Sequence, residues 1–473
     1  MNKLFLILVF ICFGISCSSQ KSNSNKIQNI LNEFATDSCF KAASIGIVIA
    51  NTEDESELAS LNRNMVLTPA SSQKLITTAT ALEVLSNDFR FKTSIVTDGT
   101  IESGIVKGNL IVKGFGDPSL NSKYFKERQD VCKTIVQKLR KRKIRKIQGK
   151  IIVDTDYFQS SIPSTWIWED IGNYYGAVPH SLSYKDNMYT LFFNSGKAGS
   201  PTKIDRIVPE KTGLKFENEV VSSTINRDLA YIFGGNTNTQ RRIEGSIPQN
   251  RQKFAVKGAL QSPEISFLHD LKHELSTSNI LVNNSEIKAL KRRELFSIHS
   301  PKLEEIVYWT NQKSVNLFAD HLLFEIAKQK NEKANWKNGV NAIKDFWNEH
   351  GIKSNYQSLY DGSGLSHFNA ISASYFNQIL LYMHSSANQE AFLSSLPIAG
   401  KSGTLKSFGK NTAIELNWKA KTGSMTGIRS YCGYLKNSKG EVYTVSILLN
   451  NYNCSNSKLN NKVLNLLIKV YNS

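Results

Sequence analysis

The chain has 473 residues, enough for two or three domains, and 10% of them are aromatic, which supplies material for real cores. Lys and Arg outnumber Asp and Glu by 58 to 40, a formal net charge of +18. No zinc knuckle or basic helix accompanies that charge and no C-x-x-C occurs, so nucleic-acid binding, metal chemistry and thiol-redox chemistry are not the expected functions.

The chain opens with "MNKLFLILVFICFGISC". One Lys, an unbroken apolar run and then small residues make residues 1–16 a secretory signal peptide, too short and wrongly flanked for a stable membrane span. Gly14-Ile15-Ser16-Cys17 resembles a bacterial lipobox, which implies a lipid on Cys17 that anchors the chain to a membrane. Leu is usual where Gly14 stands, so plain secretion stays open. Residues 17–26 are polar and without pattern, and they read as a tether. An exported, periplasmic basic protein meets anionic cell-wall polymer and lipid headgroups. Export also permits disulfides, for which Cys39, Cys132, Cys432 and Cys454 remain.

Residues 26–36 have helical period, and Ala42–Asn51 ("AASIGIVIAN") is an apolar, β-rich run with a second short strand expected over Glu57–Leu61. In "TPASSQKLITTATALEVL", Pro69 suits a first helical turn. Leu75, Ala79, Leu82 and Leu85 then recur at helical spacing, which predicts an amphipathic helix. From about Phe91 to Leu290, short β-like segments alternate with Gly, Asn, Ser and Pro. Helical periodicity returns near Glu304. Two strands ("SYCGYLKN", "VYTVSILLNN") and a last helix ("SKLNNKVLNLLIKVYN") finish the chain.

Three short motifs carry candidate chemistry. Ser71 and Lys74 form S-x-x-K at a helix start, three residues apart and therefore on one face. A serine nucleophile can use an amine as base if burial and nearby cations keep that amine partly neutral. The helix N-terminus adds a positive dipole and free N–H groups for an oxyanion. S-x-x-K recurs elsewhere, as at Ser18, Ser38, Ser200, Ser285, Ser407 and Ser455. Only the copy at Ser71 follows Pro, opens an apolar-faced helix and comes just after a central strand. Ser314-Val315-Asn316 is an S-x-N at another helix start, and Lys421-Thr422-Gly423 is a K-T-G between strand-like stretches. Lys401-Ser402-Gly403 offers a rival third motif, but turn residues precede it and a poor strand follows.

S-x-x-K, S-x-N and K-T-G in that order mark the serine penicillin-binding proteins and β-lactamases. The long gap between the first two motifs, with "GFGDPSL", "GKIIVDTDYF", "YGAVP", "DGSGLS", "LPIAGKSGTLK" and "AKTGSMTG", resembles one branch: the low-molecular-mass class C penicillin-binding proteins, the D-alanyl-D-alanine carboxypeptidase/endopeptidases of peptidase family S13. The resemblance implies a serine DD-peptidase acting on peptidoglycan stem peptides, acylated by β-lactams and using no cofactor. It implies Ser71 as nucleophile, Lys74 as base, Ser314 as proton relay, Asn316 as orienting amide and Lys421 as source of positive potential. Thr422 and Ser424 would hold the terminal carboxylate, with Gly423 between them. Backbone N–H groups of Ser71 and Ser424 would form the oxyanion hole. "STWIWEDIGNYYGAVP" resembles a family loop whose acid faces the free amine of the stem peptide's third residue. Asp170 matches that acid, a solvated surface carboxylate being the alternative, and Met425 would line the same pocket.

The expected fold is α/β (α+β): a transpeptidase-like domain over 27–90 and 291–473, split by a bilobal β-rich insertion over 91–290 in which 114–185 is nested. If its first and last strands pair antiparallel, Cys39 and Cys454 meet in a disulfide, leaving Cys132 and Cys432 free. His269 and His273 are four apart, but Asp270 replaces the Glu of H-E-x-x-H, and the surrounding apolar spacing is that of an ordinary helix. A β-lactamase would need a deacylating carboxylate. The E-x-x-x-N pattern is absent after S-x-N, since Glu349 is followed four residues on by Lys353. A catalytically weak or inactive wall-associated protein on the same fold is the other alternative.

Overall fold

The computed structural model describes residues 23–235 and 238–473. Residues 1–16 and Cys17 lie outside the described residues. Residues 23–35 are helical, so residues 23–26 are not tether. They are tied down by Asn23 to the Tyr443 hydroxyl, Ser24 to the Leu58 carbonyl and Lys26 to the Asn472 carbonyl.

The central sheet is antiparallel, in the order Glu57–Leu61, Ser44–Asn51, Val442–Asn450, Ile428–Lys436, Trp418–Met425. Chain start and chain end therefore pair directly, Ser44 opposite Asn450. The inner strands are apolar on both faces because both faces are covered. Ile47, Ile49, Ile447 and Leu449 enter one core with Ile27, Leu31, Val463 and Leu467 of the terminal helices. Val48 and Leu448 enter the opposite core with Leu75, Ile76 and Phe376. This is the two-residue alternation of a pleated strand.

Helix Lys74–Leu85 is buried nearly all round, not along one stripe as its leucine spacing predicts. Its threonines make that tolerable: Thr78 and Thr80 donate to the Lys74 and Ile76 carbonyls, both at 2.7 Å, and Thr77 donates to the Gly362 carbonyl at 2.6 Å.

The insertion has two cores. In one, strands Lys92–Thr97, Leu110–Gly114 and Ile151–Asp154 pack with helices Val131–Lys141 and Pro263–Thr277. The strand Arg293–His299 pairs with Lys92–Thr97, so the inserted sheet runs past the expected boundary at 290. The other core is nested within it and is built from strands Met188–Asn194 through Phe254–Ala259. The nested unit therefore spans about 188–260 rather than 114–185, since Leu120, Cys132, Leu182 and Tyr184 all belong to the first core. The boundary was hidden because both units alternate short strands with turn residues.

Cys39, in the turn Ser38–Phe40, and Cys454 are joined in a disulfide with Cα atoms 5.2 Å apart. Cys132 and Cys432 are buried free thiols.

Candidate active site

Pro69 leads into a 3-10 turn, Ala70–Gln73, which runs into helix Lys74–Leu85. In a 3-10 turn residues i and i+3 eclipse. That stacks Ser71 on Lys74, with Nζ 3.0 Å from Oγ. Ala70 is held at φ +46, a left-handed conformation costly for a residue with a Cβ. Close packing against Gly364 surrounds it, where a Cβ would stand 2.0 Å from the Ala70 carbonyl oxygen. Ser71 is partly open, while Ser72 is buried and its Oγ lies 3.2 Å from the Lys421 carbonyl oxygen and 2.8 Å from Ser430 Oγ.

Lys74 is fully buried and donates to Asn316 Oδ1 at 2.6 Å and to the Ser363 carbonyl at 2.6 Å. Burial pushes its ammonium down to about 8, against the opposing charges of Asp320 and Asp361. Lys421, also buried, donates to Ser314 Oγ at 3.0 Å and to the Thr422 carbonyl at 2.7 Å. Burial first, and then the charge of Lys74, holds it well below the usual lysine range. Two buried amines, each paired with a serine hydroxyl, can take a proton at one end and deliver it at the other.

Three distant segments converge here for local reasons. Ser314 sits at φ +55 in the break between helices Leu303–Gln312 and Asn316–Gln329, so the S-x-N motif is a turn aimed into the cleft. Gln312 fastens that turn to the Ser395 and Leu396 carbonyls at 3.2 and 2.8 Å. Strand Trp418–Met425 lies against the Ser71 turn at Gly423, where a Cβ would meet the Pro69 carbonyl oxygen and Ser430 Oγ, both at 2.3 Å. Thr422 Oγ1 lies 2.9 Å from Thr404 Oγ1, and Ser424 is exposed on the same strand. Lys401 is on the surface, and its stretch reaches the site through Thr404 and through Gly403, where a Cβ would stand 2.6 Å from Gln312 Oε1.

Asp170 occupies the short helix Trp168–Ile171, half-buried. Burial raises its carboxyl above the ordinary range, opposed by a hydrogen bond from Tyr175. The Tyr175 carbonyl in turn accepts from Asn316 Nδ2 at 2.9 Å. Met425, like Ile171 and Tyr175, packs against the buried cluster of Trp166, Val178 and Leu365, so it shares this corner of the cleft.

Sequence reasoning passed over the groups beneath Lys74. Asp361 accepts from the N–H groups of Gly364 and Ser366 at 2.8 and 2.6 Å and from Trp166 Nε1 at 2.8 Å. Asp320 accepts from the Gly362 N–H at 2.9 Å. Together they hold the "DGSGLS" loop so that the Ser363 carbonyl faces the amine. The signal was an Asp next to Gly-Ser-Gly, a loop that needs an acceptor for its own N–H groups. Among the described residues no cluster of three or more His, Cys, Asp or Glu side chains could hold a metal. His269 lies on the half-exposed face of helix Pro263–Thr277, 3.3 Å from Asp270.

A family model for the D-Ala-D-Ala carboxypeptidase 3 (S13) family matches residues 27–468. The D-alanyl-D-alanine carboxypeptidase DacB of Haemophilus influenzae is 26% identical over 424 residues, covering 87% of this chain and 86% of the relative. The D-alanyl-D-alanine carboxypeptidase of Actinomadura sp. strain R39 is 24% identical over 436 residues, covering 88% and 80%. The crystal structure of penicillin binding protein 4 from Haemophilus influenzae superposes with a TM-score of 0.78 at 24% identity, covering 92% of this chain and 97% of that one. The same Haemophilus protein complexed with a β-lactam gives 0.74 at 23% identity, covering 91% and 96%. With the match running nearly end to end, the chain belongs to the D-Ala-D-Ala carboxypeptidase 3 (S13) family of serine hydrolases.

Proposed function

We propose that this enzyme is an exported serine DD-peptidase that cleaves D-Ala-D-Ala termini, D-Ala–diamino-acid cross-links of peptidoglycan, or both, through an acyl-enzyme on Ser71. The observation that carries the reading is the pairing of a buried, weakened Lys74 ammonium with Ser71 Oγ at 3.0 Å, faced by Lys421 on Ser314 Oγ at 3.0 Å. Neutral Lys74 takes the Ser71 proton as Oγ bonds to the carbonyl carbon of the penultimate D-Ala. The carbonyl oxygen gains the negative charge, and the Ser71 and Ser424 N–H groups stabilise it; losing one such donor typically costs about 3–4 kcal/mol. The C–N bond then breaks as Ser314 Oγ passes a proton to the departing amine, with Lys421 supplying positive potential. Water, deprotonated along the same route, releases the acyl group and restores Ser71.

Thr422, Ser424 and the K-T-G strand hold the substrate's terminal carboxylate, and Asp170 with Met425 receives the third residue's side chain. A β-lactam enters the same scheme, its amide carbonyl acylating Ser71 and the ring-opened product staying bound. The complex of the Haemophilus protein with a β-lactam supports this step. The signal peptide over 1–16, lipid on Cys17 and a periplasmic location complete the proposal.

Incubation with benzylpenicillin followed by intact-mass and peptide mapping tests it. One penicilloyl adduct is expected on the peptide containing Ser71, and none on Ser71→Ala. An adduct on another serine overturns the assignment of Ser71, and none on the wild type overturns the reading in favour of an inactive wall-associated protein.

A further inference from the structure

A groove of about 810 Å³ lies between the insertion and the catalytic core, and nothing in the scheme above uses it. Its cationic lining comes from Arg90, Lys123, Lys126, Arg128 and Lys313, against Glu127 and Glu305. Glu305 is already engaged, accepting from the Lys302 N–H at 3.0 Å. Arg90 donates to the Ser300 carbonyl, and Arg128 to Ser119 Oγ and the His299 carbonyl, each at 2.7 Å. These oxygens are neutral, although Asp88 lies within electrostatic reach of Arg90 and the buried Asp117 within reach of Arg128. Lys123 stands 3.6 Å from Asp186 and over the Tyr124 ring at 5.0 Å. Lys126 and Lys313 are exposed.

The groove's position matters more than its charge. Lys313 immediately precedes Ser314, and its N–H bonds to the Trp309 carbonyl at 3.0 Å. Tyr124 packs against Trp309 at 5.6 Å and against Phe318, two residues beyond Asn316, at 5.5 Å. Tyr124 also lies within electrostatic reach of Tyr174, whose ring packs on Tyr175 at 5.4 Å. The groove therefore adjoins the turn that hands a proton to the leaving amine. When a cross-link is cut, that amine belongs to a whole second stem peptide bearing carboxylates, whereas a terminal D-Ala leaves as one small residue.

We propose that this basic, aromatic-floored groove binds the carboxylate-bearing leaving strand of cross-linked peptidoglycan and so favours cross-link cleavage over trimming of free termini. The inference rests on the DD-peptidase reading. Cations in the groove attract the strand's carboxylates, and Tyr124 and Trp309 cover its apolar parts.

The test compares a purified cross-linked muropeptide dimer with an uncross-linked pentapeptide monomer, using wild type, Lys126→Glu and Lys126→Glu/Lys313→Glu. Each exposed charge contact is worth up to about fivefold. The single variant should raise KM for the dimer about threefold and the double about tenfold. Monomer kcat/KM and penicillin acylation should stay within twofold of wild type. Added salt should raise the wild-type KM for the dimer selectively, because exposed charges are screened. Equal loss on both substrates in the double variant would mean a damaged Ser314 turn, and the single variant, remote from that turn in sequence, decides that case. Unchanged dimer KM in Lys126→Glu, parallel loss on both substrates there, or no dimer cleavage by wild type overturns the inference. A wild type that neither cleaves monomer nor takes penicillin refutes the DD-peptidase reading itself, and the groove's role with it.

Discussion

Lowering the pH should disarm this enzyme through Lys74. Its ammonium is pushed down to about 8, chiefly by burial. At pH 7 about one-tenth of the molecules then carry the neutral amine, against about four in ten thousand for a solvated lysine near 10.4. That difference is worth about 3 kcal/mol in the availability of the base. The sign follows from the proposed role: only the neutral form accepts the Ser71 proton, so acylation gains as pH rises through 8 and levels off above about 9. The second-order rate constant for benzylpenicillin acylation, read by quenched intact-mass spectrometry, should fall about fivefold from pH 8 to 7 and about tenfold for the next pH unit below. Circular dichroism at the same pH values checks that the fold persists. A rate flat between pH 6 and 9, or one with its midpoint near 4 to 5, would refute the argument, because it would assign the proton to some group other than Lys74.

Gly423→Ala would drive a Cβ to 2.3 Å from the Pro69 carbonyl oxygen and Ser430 Oγ, and the backbone atom cannot step aside. It should cost roughly 1–3 kcal/mol in urea unfolding and slow penicillin acylation, because strand Trp418–Met425 must move off the Ser71 turn. Reducing Cys39–Cys454, which spans 415 residues of sequence, should cost ~2–4 kcal/mol of thermal stability and leave acylation at 25 °C unchanged. A Tm unmoved by reductant would show that the ion pairs of Asp37 with Lys462 and Glu33 with Lys469 hold those elements unaided. Asp170→Asn should reduce kcat/KM by roughly tenfold or more for peptides with a free amine on the third residue. It should leave benzylpenicillin acylation alone, and equal loss on acetylated and free-amine peptides would assign Asp170 a merely structural part. Because burial raises the Asp170 carboxyl, wild-type preference for the amine should weaken as pH falls and the carboxylate is protonated.

The three motifs that converge in the cleft were legible in the chain because each depends on short-range geometry. Ser71 and Lys74 meet because they are one tight turn apart, wherever that turn is placed. The choice of Lys421 over Lys401 followed from strand character on both sides, and the edge strand Trp418–Met425 carries Lys421 while Lys401 is exposed. Joining of the chain's two ends was legible too, since Ala42–Asn51 and the run at 442–451 are the strongest apolar strand patterns present.

What only the tertiary structure decided is everything that depends on burial. A lysine's neutrality is a property of its surroundings: burial lowers the Lys74 ammonium, and the Ser363 carbonyl, Asp320 and Asp361 that oppose it come from loops and helices roughly 240 to 290 residues beyond. The limits of the nested lobe also needed coordinates, because short strands are alike in sequence and only their partners assign them to one core or another. The basic groove was invisible for the same reason, since Arg90, Arg128 and Lys313 are scattered charges until the chain folds them onto one wall.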